Sequence, residues 1–499
     1  MRSIPHIRAA VAAAFLLCFS GGCKVDYPPL TLQELREEAR QSPSWRRLAE
    51  LEELSLDEAR KFALENNPDL NAARYAVLAA RDRYHQSLGA FAPEVSAEAS
   101  VGQEISDLDH IHNRLPADLP YSDRFNVTAS LRATYLLFDG FCRELEVLAR
   151  RTDWRIRDAD RQNVRRILCR AVAYAYYDVL LASALAEIAD SDAAFQRSCL
   201  EQADNRYRNG FISESDHLAF RISLNAALAR AVDRRCRHEM SRYALAMLMG
   251  CPDGKLPEHL KLRHPGINRA EMLLPLDFYI EEALARRPDL RGMKLAIDLA
   301  HYRKLQSLGD FAPRISAYAE TGFGRMYSRL RGYDFNRSSW NRFFVGYGVE
   351  AEWVLFKGFA HYNRYREMQD LCEESRRIFT RQQLKVLNDV ENSYLMVKNS
   401  AECALLYQES LKWVRTQRRL VEVEYWSGNV TVTRLRGAQN DLVNAEGSMA
   451  LAVIALLKAD AQLVAAISGP ADGEVPQSIL PEWAEHSLEA LGNRLKGVL

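Results

Sequence analysis

The segment Asp109-His110-Ile111-His112 sets one carboxylate and two imidazoles side by side, the side chains that bind a divalent metal or relay a proton. Two histidines without further ligands make a poor metal site, and the segment lies between two strand-like runs, so it reads as a solvated loop. Cys236 and His238 stand two apart on a helical stretch and do not face each other. Eight arginines (Arg150, Arg151, Arg155, Arg157, Arg161, Arg165, Arg166 and Arg170) crowd one stretch, but acids are interleaved with them, as on a solvated helix face. Cys142, Cys169, Cys199, Cys236, Cys251, Cys372 and Cys403 are scattered singly, form no CxxC and give no complete disulfide framework. They read as small buried hydrophobes on helices. No HExxH, phosphate loop, nucleophile elbow or zinc quartet appears. The expectation is a protein that is not an enzyme and has no cofactor and no metal. Lys plus Arg (66) balances Asp plus Glu (66) over 499 residues, so no basic surface for nucleic acid is expected.

The elements around these residues are written twice. Gln86–Pro93 reads QSLGAFAP, and 220 residues later Gln306–Pro313 reads QSLGDFAP. NPDL at Asn67–Leu70 is echoed by RPDL at Arg287–Leu290. LFDGF at Leu137–Phe141 is echoed by LFKGF at Leu355–Phe359, and Tyr207–Gly210 by Tyr425–Gly428, both offset by 218. Four landmarks in one order at nearly constant offset indicate an internal two-fold repeat, too long in period for a solenoid. The expected layout is repeat 1 over residues 56–254, a proline-rich linker over 255–275, repeat 2 over 276–468 and an unrepeated tail over 469–499.

Each repeat opens with a helical segment, Leu56–Gly89 and Phe278–Gly309, and then changes to a period of two. Strands are expected at about 93–102, 124–138, 313–324 and 343–356. Val95, Ala97, Ala99 and Val101 alternate with Glu94, Ser96, Glu98 and Ser100, and Val345, Tyr347, Val349 and Ala351 alternate with Gly346, Gly348, Glu350 and Glu352. The longer runs suit strands that cross a bilayer, apolar outside and polar inside. A half-buried sheet of a soluble sandwich is the other reading. Between Gly140 and Gly210, and again between Gly358 and Gly428, 69 residues pass without glycine or proline and with helical spacing. Each helix would be about 100 Å long and need partners along its length. A shorter helix returns after each glycine, over Ser213–Met249 and Val430–Ile467.

Four spanning strands cannot close a barrel, and an open edge in lipid leaves backbone groups unsatisfied. Several copies must share one barrel, and three copies give twelve strands. This layout resembles the TolC family of outer-membrane efflux proteins, on the paired joints, the LFDGF/LFKGF turns and the Y-x-x-G hairpins over about Leu56–Ser468. The resemblance implies a mainly α chain with membrane β: a homotrimer with a 12-stranded outer-membrane barrel, continued by a long periplasmic α-helical barrel. It implies an exit duct of a tripartite efflux pump or type I secretion system. Partners would be a periplasmic adaptor, an inner-membrane pump and outer-membrane lipid. A poreless periplasmic coiled-coil adaptor is the alternative.

The resemblance also points to the hairpin tips, at Gly210 and Gly428, as the gate. Asp216, six past the first glycine, and Tyr425, three before the second, match latch positions. Val430 stands where the family's latch has arginine. Arg434 and Gly437 stand where it has two luminal aspartates. Three copies of Arg434 around one axis would attract anions if they face the lumen; an outward, solvated arginine is the other reading. At the N-terminus, Arg2 and Arg8 precede an apolar run over Ala9–Phe19 and then Ser20-Gly21-Gly22-Cys23. This reads as a signal peptide over residues 1–22. Small residues before Cys23 resemble a bacterial lipobox, which would make Cys23 a lipidation site and residues 23–55 a lipid-anchored extension. The alternative is an ordinary signal with an incidental cysteine. Lys24 after it favours the outer membrane.

Overall fold

The computed structural model describes residue 37 and residues 43–106, 122–264, 273–330 and 337–467. Cys23, the expected signal peptide over residues 1–22, the tail after Ile467 and the Asp109–His112 segment lie outside the described residues.

The described elements run from α1 (Pro43–Glu50) through β1 (Glu53–Leu54) and α2 (Leu56–Asn66) to α3 (Pro68–Leu88). Ser55 caps α2 in a capping box with Glu58. The helical segment expected over Leu56–Gly89 is made of two helices, broken at Asn67-Pro68. The proline forces the preceding residue out of the helical region, and Asn67 sits at φ −63, ψ 126. The second half repeats the break: α6 (Leu276–Arg286) and α7 (Pro288–Gly309) meet at Arg287, φ −65, ψ 123.

Strands β2 (Glu94–Ser106) and β3 (Ser122–Phe138) follow α3, and β5 (Arg314–Leu330) and β6 (Arg337–Glu352) follow α7. They form one antiparallel sheet in the order β2-β3-β5-β6. The register pairs Ala97 with Leu131, Ala133 with Ala319 and Ala319 with Tyr347, so the apolar members of all four strands share one face. Val95, Leu131, Phe343, Val345, Tyr347 and Val349 of that face are exposed in the single chain, Tyr347 at 84%. The opposite face carries polar rows such as Ser96, Arg132, Glu320 and Gly346. The last strand ends at Glu352 rather than near 356. The Trp353 indole donates to the Phe311 carbonyl at 3.1 Å, drawing the chain out of the ladder.

The repeated phrases are joints that lock together. Gly140 and Phe141 of LFDGF both take left-handed φ (70 and 64), as do Gly358 and Phe359 of LFKGF (56 and 61). That turn reverses the strand into the long helix. A Cβ on Gly140 would lie 2.9 Å from the Gly309 Cα, and one on Gly309 would lie 2.3 Å from the Cys142 Sγ. LFDGF of the first half is therefore seated directly on QSLGDFAP of the second.

The long helices α4 (Cys142–Arg208) and α8 (Ala360–Trp426) have 67 residues each, and the returning helices α5 (Glu214–Met249) and α9 (Val432–Ile467) have 36 each. Near the sheet the order across the layer is α3, α4, α7, α8; away from it the order is α5, α4, α9, α8. The short helices thus stack end to end against the two long ones. The main core lies where they meet, around Val172, Tyr176, Leu245, Met249, Val390 and Leu463. The interrepeat linker is partly structured: β4 (Lys261–Leu262) pairs parallel with β1. The Tyr176 hydroxyl lies within hydrogen-bond reach of the Leu54 carbonyl on β1 and the Arg263 carbonyl just past β4.

The arginine stretch in α4 is only partly a solvated face. Arg150 pairs with Glu146 at 2.6 Å and Arg161 with Asp158 at 3.0 Å along the helix. Arg166 turns inward and donates to the Ala465 carbonyl at 2.6 Å, and Arg170 donates to Gln462. Of the cysteines, Cys169, Cys199, Cys251 and Cys372 are buried, whereas Cys236 is exposed and Cys142 and Cys403 are half-buried; all seven are free.

Candidate functional site

Both long helices end in the same way at the pole opposite the sheet. Gly210 has φ 76; its N–H donates to Tyr207 O at 3.0 Å and the Phe211 N–H to Arg206 O at 2.9 Å. Gly428 has φ 84; its N–H donates to Tyr425 O and the Asn429 N–H to Glu424 O. These are Schellman ends, which need a left-handed residue one past the cap. A Cβ at either glycine would meet nothing within 4 Å, so the requirement is conformational. Helix α5 is then capped by Ser213, whose Oγ accepts from the Asp216 N–H at 3.1 Å and donates to the Asp216 carboxylate at 3.0 Å. Asp216 thus belongs to the cap of α5.

The tips have a small core of their own: Cys199, Ala203, Phe220, Val421, Tyr425, Leu435 and Ala438. Tyr425 is 7% exposed and meets Phe220 and Trp426 edge-on, with ring centroids 6.1 and 4.8 Å away. Burial pushes its phenol pKa up, Arg206 opposes this and the Asp216 charge reinforces it. Burial likewise raises the Cys199 thiol to about 12, which disfavours its reactive thiolate at neutral pH. Val430 packs against the same core. Arg434 and Gly437 are exposed, while Leu435 and Ala438 on the other side of α9 are buried in the tip core. Tyr425 thus lies in the tip core and feels the Asp216 charge, Asp216 is bonded within its own helix cap, and Arg434 is exposed.

Two tip contacts escaped the sequence. Arg206 donates to the Trp426 carbonyl at 2.9 Å and lies 4.8 Å over the Trp426 ring, fastening the first tip to the second. His217 is bonded to Asp204 and stacked on Tyr207, centroids 4.8 Å apart and planes 3° from parallel. Asp204 and His217 lie six before and seven after Gly210, the near-symmetric spacing a hairpin brings together, so that pair had a signal. The Arg206–Trp426 contact had none, because it depends on how the two repeats superpose. Among the described residues, no cluster of three or more metal-ligating side chains occurs.

A family model described as outer membrane efflux protein matches residues 60–251 and 279–469, one match in each half. The alkaline protease secretion protein AprF of Pseudomonas aeruginosa is 24% identical over 376 residues, covering 73% of this chain and 74% of that protein. The outer-membrane channel OprN superposes with a TM-score of 0.69 at 19% identity, over 87% of this chain and 92% of that one. The Campylobacter jejuni CmeC outer membrane channel superposes with a TM-score of 0.71 at 14% identity, over 91% of each chain.

Proposed function

This chain belongs to the outer membrane efflux protein family, and from that premise we propose that three copies form a passive exit duct through the outer membrane. The carrying observation is the sheet. One of its faces is apolar and exposed, and the ladder order leaves β2 and β6 each paired on one side only. In lipid those two edges must be satisfied, and pairing β6 of one copy with β2 of the next closes twelve strands after three copies. The α-helical layer then continues the bore about 100 Å into the periplasm. The polar sheet face lines the opening, and the work of the protein is passage, with no bond made or broken.

The tips at Gly210 and Gly428 are the periplasmic entrance, where a periplasmic adaptor and an inner-membrane pump would dock, as in tripartite efflux or type I secretion. Tyr425 and Asp216 hold the entrance packed, and Arg434 faces the axis as a ring of three cations. Cys23 is the lipid-bearing residue; Cys23→Ser should abolish acyl labelling while trimers still insert, because strands anchor more strongly than acyl chains. Semi-native gels of detergent-extracted outer membranes test the duct. A trimer band that collapses on boiling supports it; recovery in the soluble periplasm alone overturns it.

A further inference from the structure

A row of polar side chains crosses the helical layer about three to five turns above the tip glycines. It touches α5, α4, α9 and α8 in their spatial order. Arg230 of α5 donates to Asp192 Oδ2 of α4 at 2.8 Å. Gln439 of α9 donates from Nε2 to Asp192 Oδ1 at 3.0 Å. Arg418 of α8 donates from Nε to Gln439 Oε1 at 3.1 Å, and also pairs with Glu422 at 2.9 Å. Asp192 is 2% exposed and Gln439 4%. The row therefore ties the first hairpin, α4 with α5, to the second, α8 with α9, through one buried neutral amide held between an acid and a guanidinium.

The internal repeat does not account for the row. The positions equivalent to Asp192 and Gln439 are Ser410 and Arg221, which cannot rebuild an acid–amide pair. The contact is specific to the seam between the two hairpins of one chain. A buried carboxylate is costly once a partner is withdrawn, more so than the net worth of the bond it loses. Separating α9 from α4 takes the Gln439 amide from Asp192, so the row resists any widening of the layer at this seam.

We infer that Asp192 and Gln439 are positioning residues of the gate, holding the second hairpin against the first so that rupture of their hydrogen bond is a step in opening. The inference rests on the duct reading. Its test uses full-length trimers in planar bilayers. Gln439→Met keeps the side-chain volume and removes both bonds; open probability should rise severalfold. Gln439→Glu puts a second carboxylate against Asp192. It should open the duct at neutral pH and close it again as pH falls, when the protonated acid can donate to Asp192. The charged or polar groups facing that position are Asp192 and Gln196 from α4, Arg230 from α5, and Arg418 and Glu422 from α8. A purely structural role would lower trimer yield without pH-reversible conductance. Should the Gln439 variants fail to assemble, Arg418→Met removes the adjacent bond and should raise open probability in the same sense. Wild-type gating in assembled Gln439 variants, or in Arg418→Met where those do not assemble, overturns the inference alone. Wild-type trimers that form no channel overturn the duct reading and this inference with it.

Discussion

The foot of helix α5 and the foot of helix α9 occupy equivalent places in the two halves, yet they are held by different chemistry. Asn67 donates from Nδ2 to the Leu248 carbonyl at the end of α5, at 2.9 Å. Arg287, its counterpart, approaches the Ala466 carbonyl at the end of α9, at 3.4 Å, and pairs with Asp289 at 2.6 Å and Asp389 at 3.4 Å. Arg166 reaches in from the first half to the Ala465 carbonyl and Asp289. The difference follows position. Helix α9 lies between α4 and α8, flanked on both sides by its own chain, whereas α5 is an outer edge. The inner seam is desolvated within one copy and takes charged partners from both halves. The outer edge keeps a neutral cap. The joints show the same contrast: Gly140 and Gly309 are crowded by each other, while a Cβ on Gly89 or Gly358, their counterparts, would meet nothing within 4 Å.

Substitution at the two feet breaks this comparison most severely. Arg287→Ala removes the nearest cation from Asp289, leaving it Arg166 at 3.7 Å and the Gln382 amide at 2.9 Å, and should cost about 3 kcal/mol, the low end for opening a buried pair. Asn67→Ala should cost only about 1–2 kcal/mol, as a lost cap does. The midpoint of thermal trimer dissociation on semi-native gels measures both; equal shifts would erase the distinction between seam and edge.

Gly309→Val forces a side chain into Cys142 and the Gly140 backbone, an overpacking cost of about 2–3 kcal/mol, read as loss of folded protein from outer membranes. The sharper experiment is Gly89→Val. Its backbone, φ −59 and ψ −26, accepts any residue, so the lone chain should fold normally. If the ring closes by repeating the inner joint between copies, valine at 89 meets the neighbour's LFKGF turn and trimers are lost. Normal trimer yield would show that the joint between copies is built differently.

The ionic foot should also carry its own acid dependence. Burial alone would raise the Asp289 carboxyl; hydrogen bonding to Arg287 and the charges of Arg287 and Arg166 reverse this and hold it below the ordinary carboxylate value. Burial and the nearby Arg287 charge lower Arg166 to about 10, still cationic at neutral pH. A depressed folded-state pKa gives stability that is present above the unfolded value of about 3.9 and lost as pH falls below it. The stability gap between wild type and Asp289→Asn should therefore hold at neutral pH and narrow below about pH 4. The smallest expected effect is at the far end of the seam helix. Arg434→Asp should shift reversal potentials under a KCl gradient toward cations and lose that shift at 1 M salt, where screening falls to about 3 Å. An unchanged ion preference would place Arg434 on the outside of the bore.

Much of this architecture is legible in the residues because it rests on local rules. The glycine- and proline-free stretches became 67-residue helices, and the alternating runs became strands with a shared apolar face. Asn67-Pro68 and Arg287-Pro288 are equally local signals: they mark the repeat in sequence, and in the structure each splits the opening helical segment in two. The inward turn of Arg166, the two feet and the Arg206–Trp426 contact were not legible. Each joins residues far apart in sequence, and only the packing of one repeat on the other decides which partner an arginine finds. The tip glycines were readable from spacing, whereas the chemistry around Tyr425 was not.

The bare margins of the sheet have a consequence for how the molecule is made. Strands β2 and β6, 13 and 16 residues long, would each offer an unpaired backbone ladder to any passing copy, next to a broad greasy face. Such margins invite open-ended polymerisation in water. A copy that completed its sheet in water before meeting others would be a seed for fibres. For the three-copy duct proposed above, biogenesis would then run from the helices outward: the helical layers would gather the copies first, and the strands would zip together only on entering lipid.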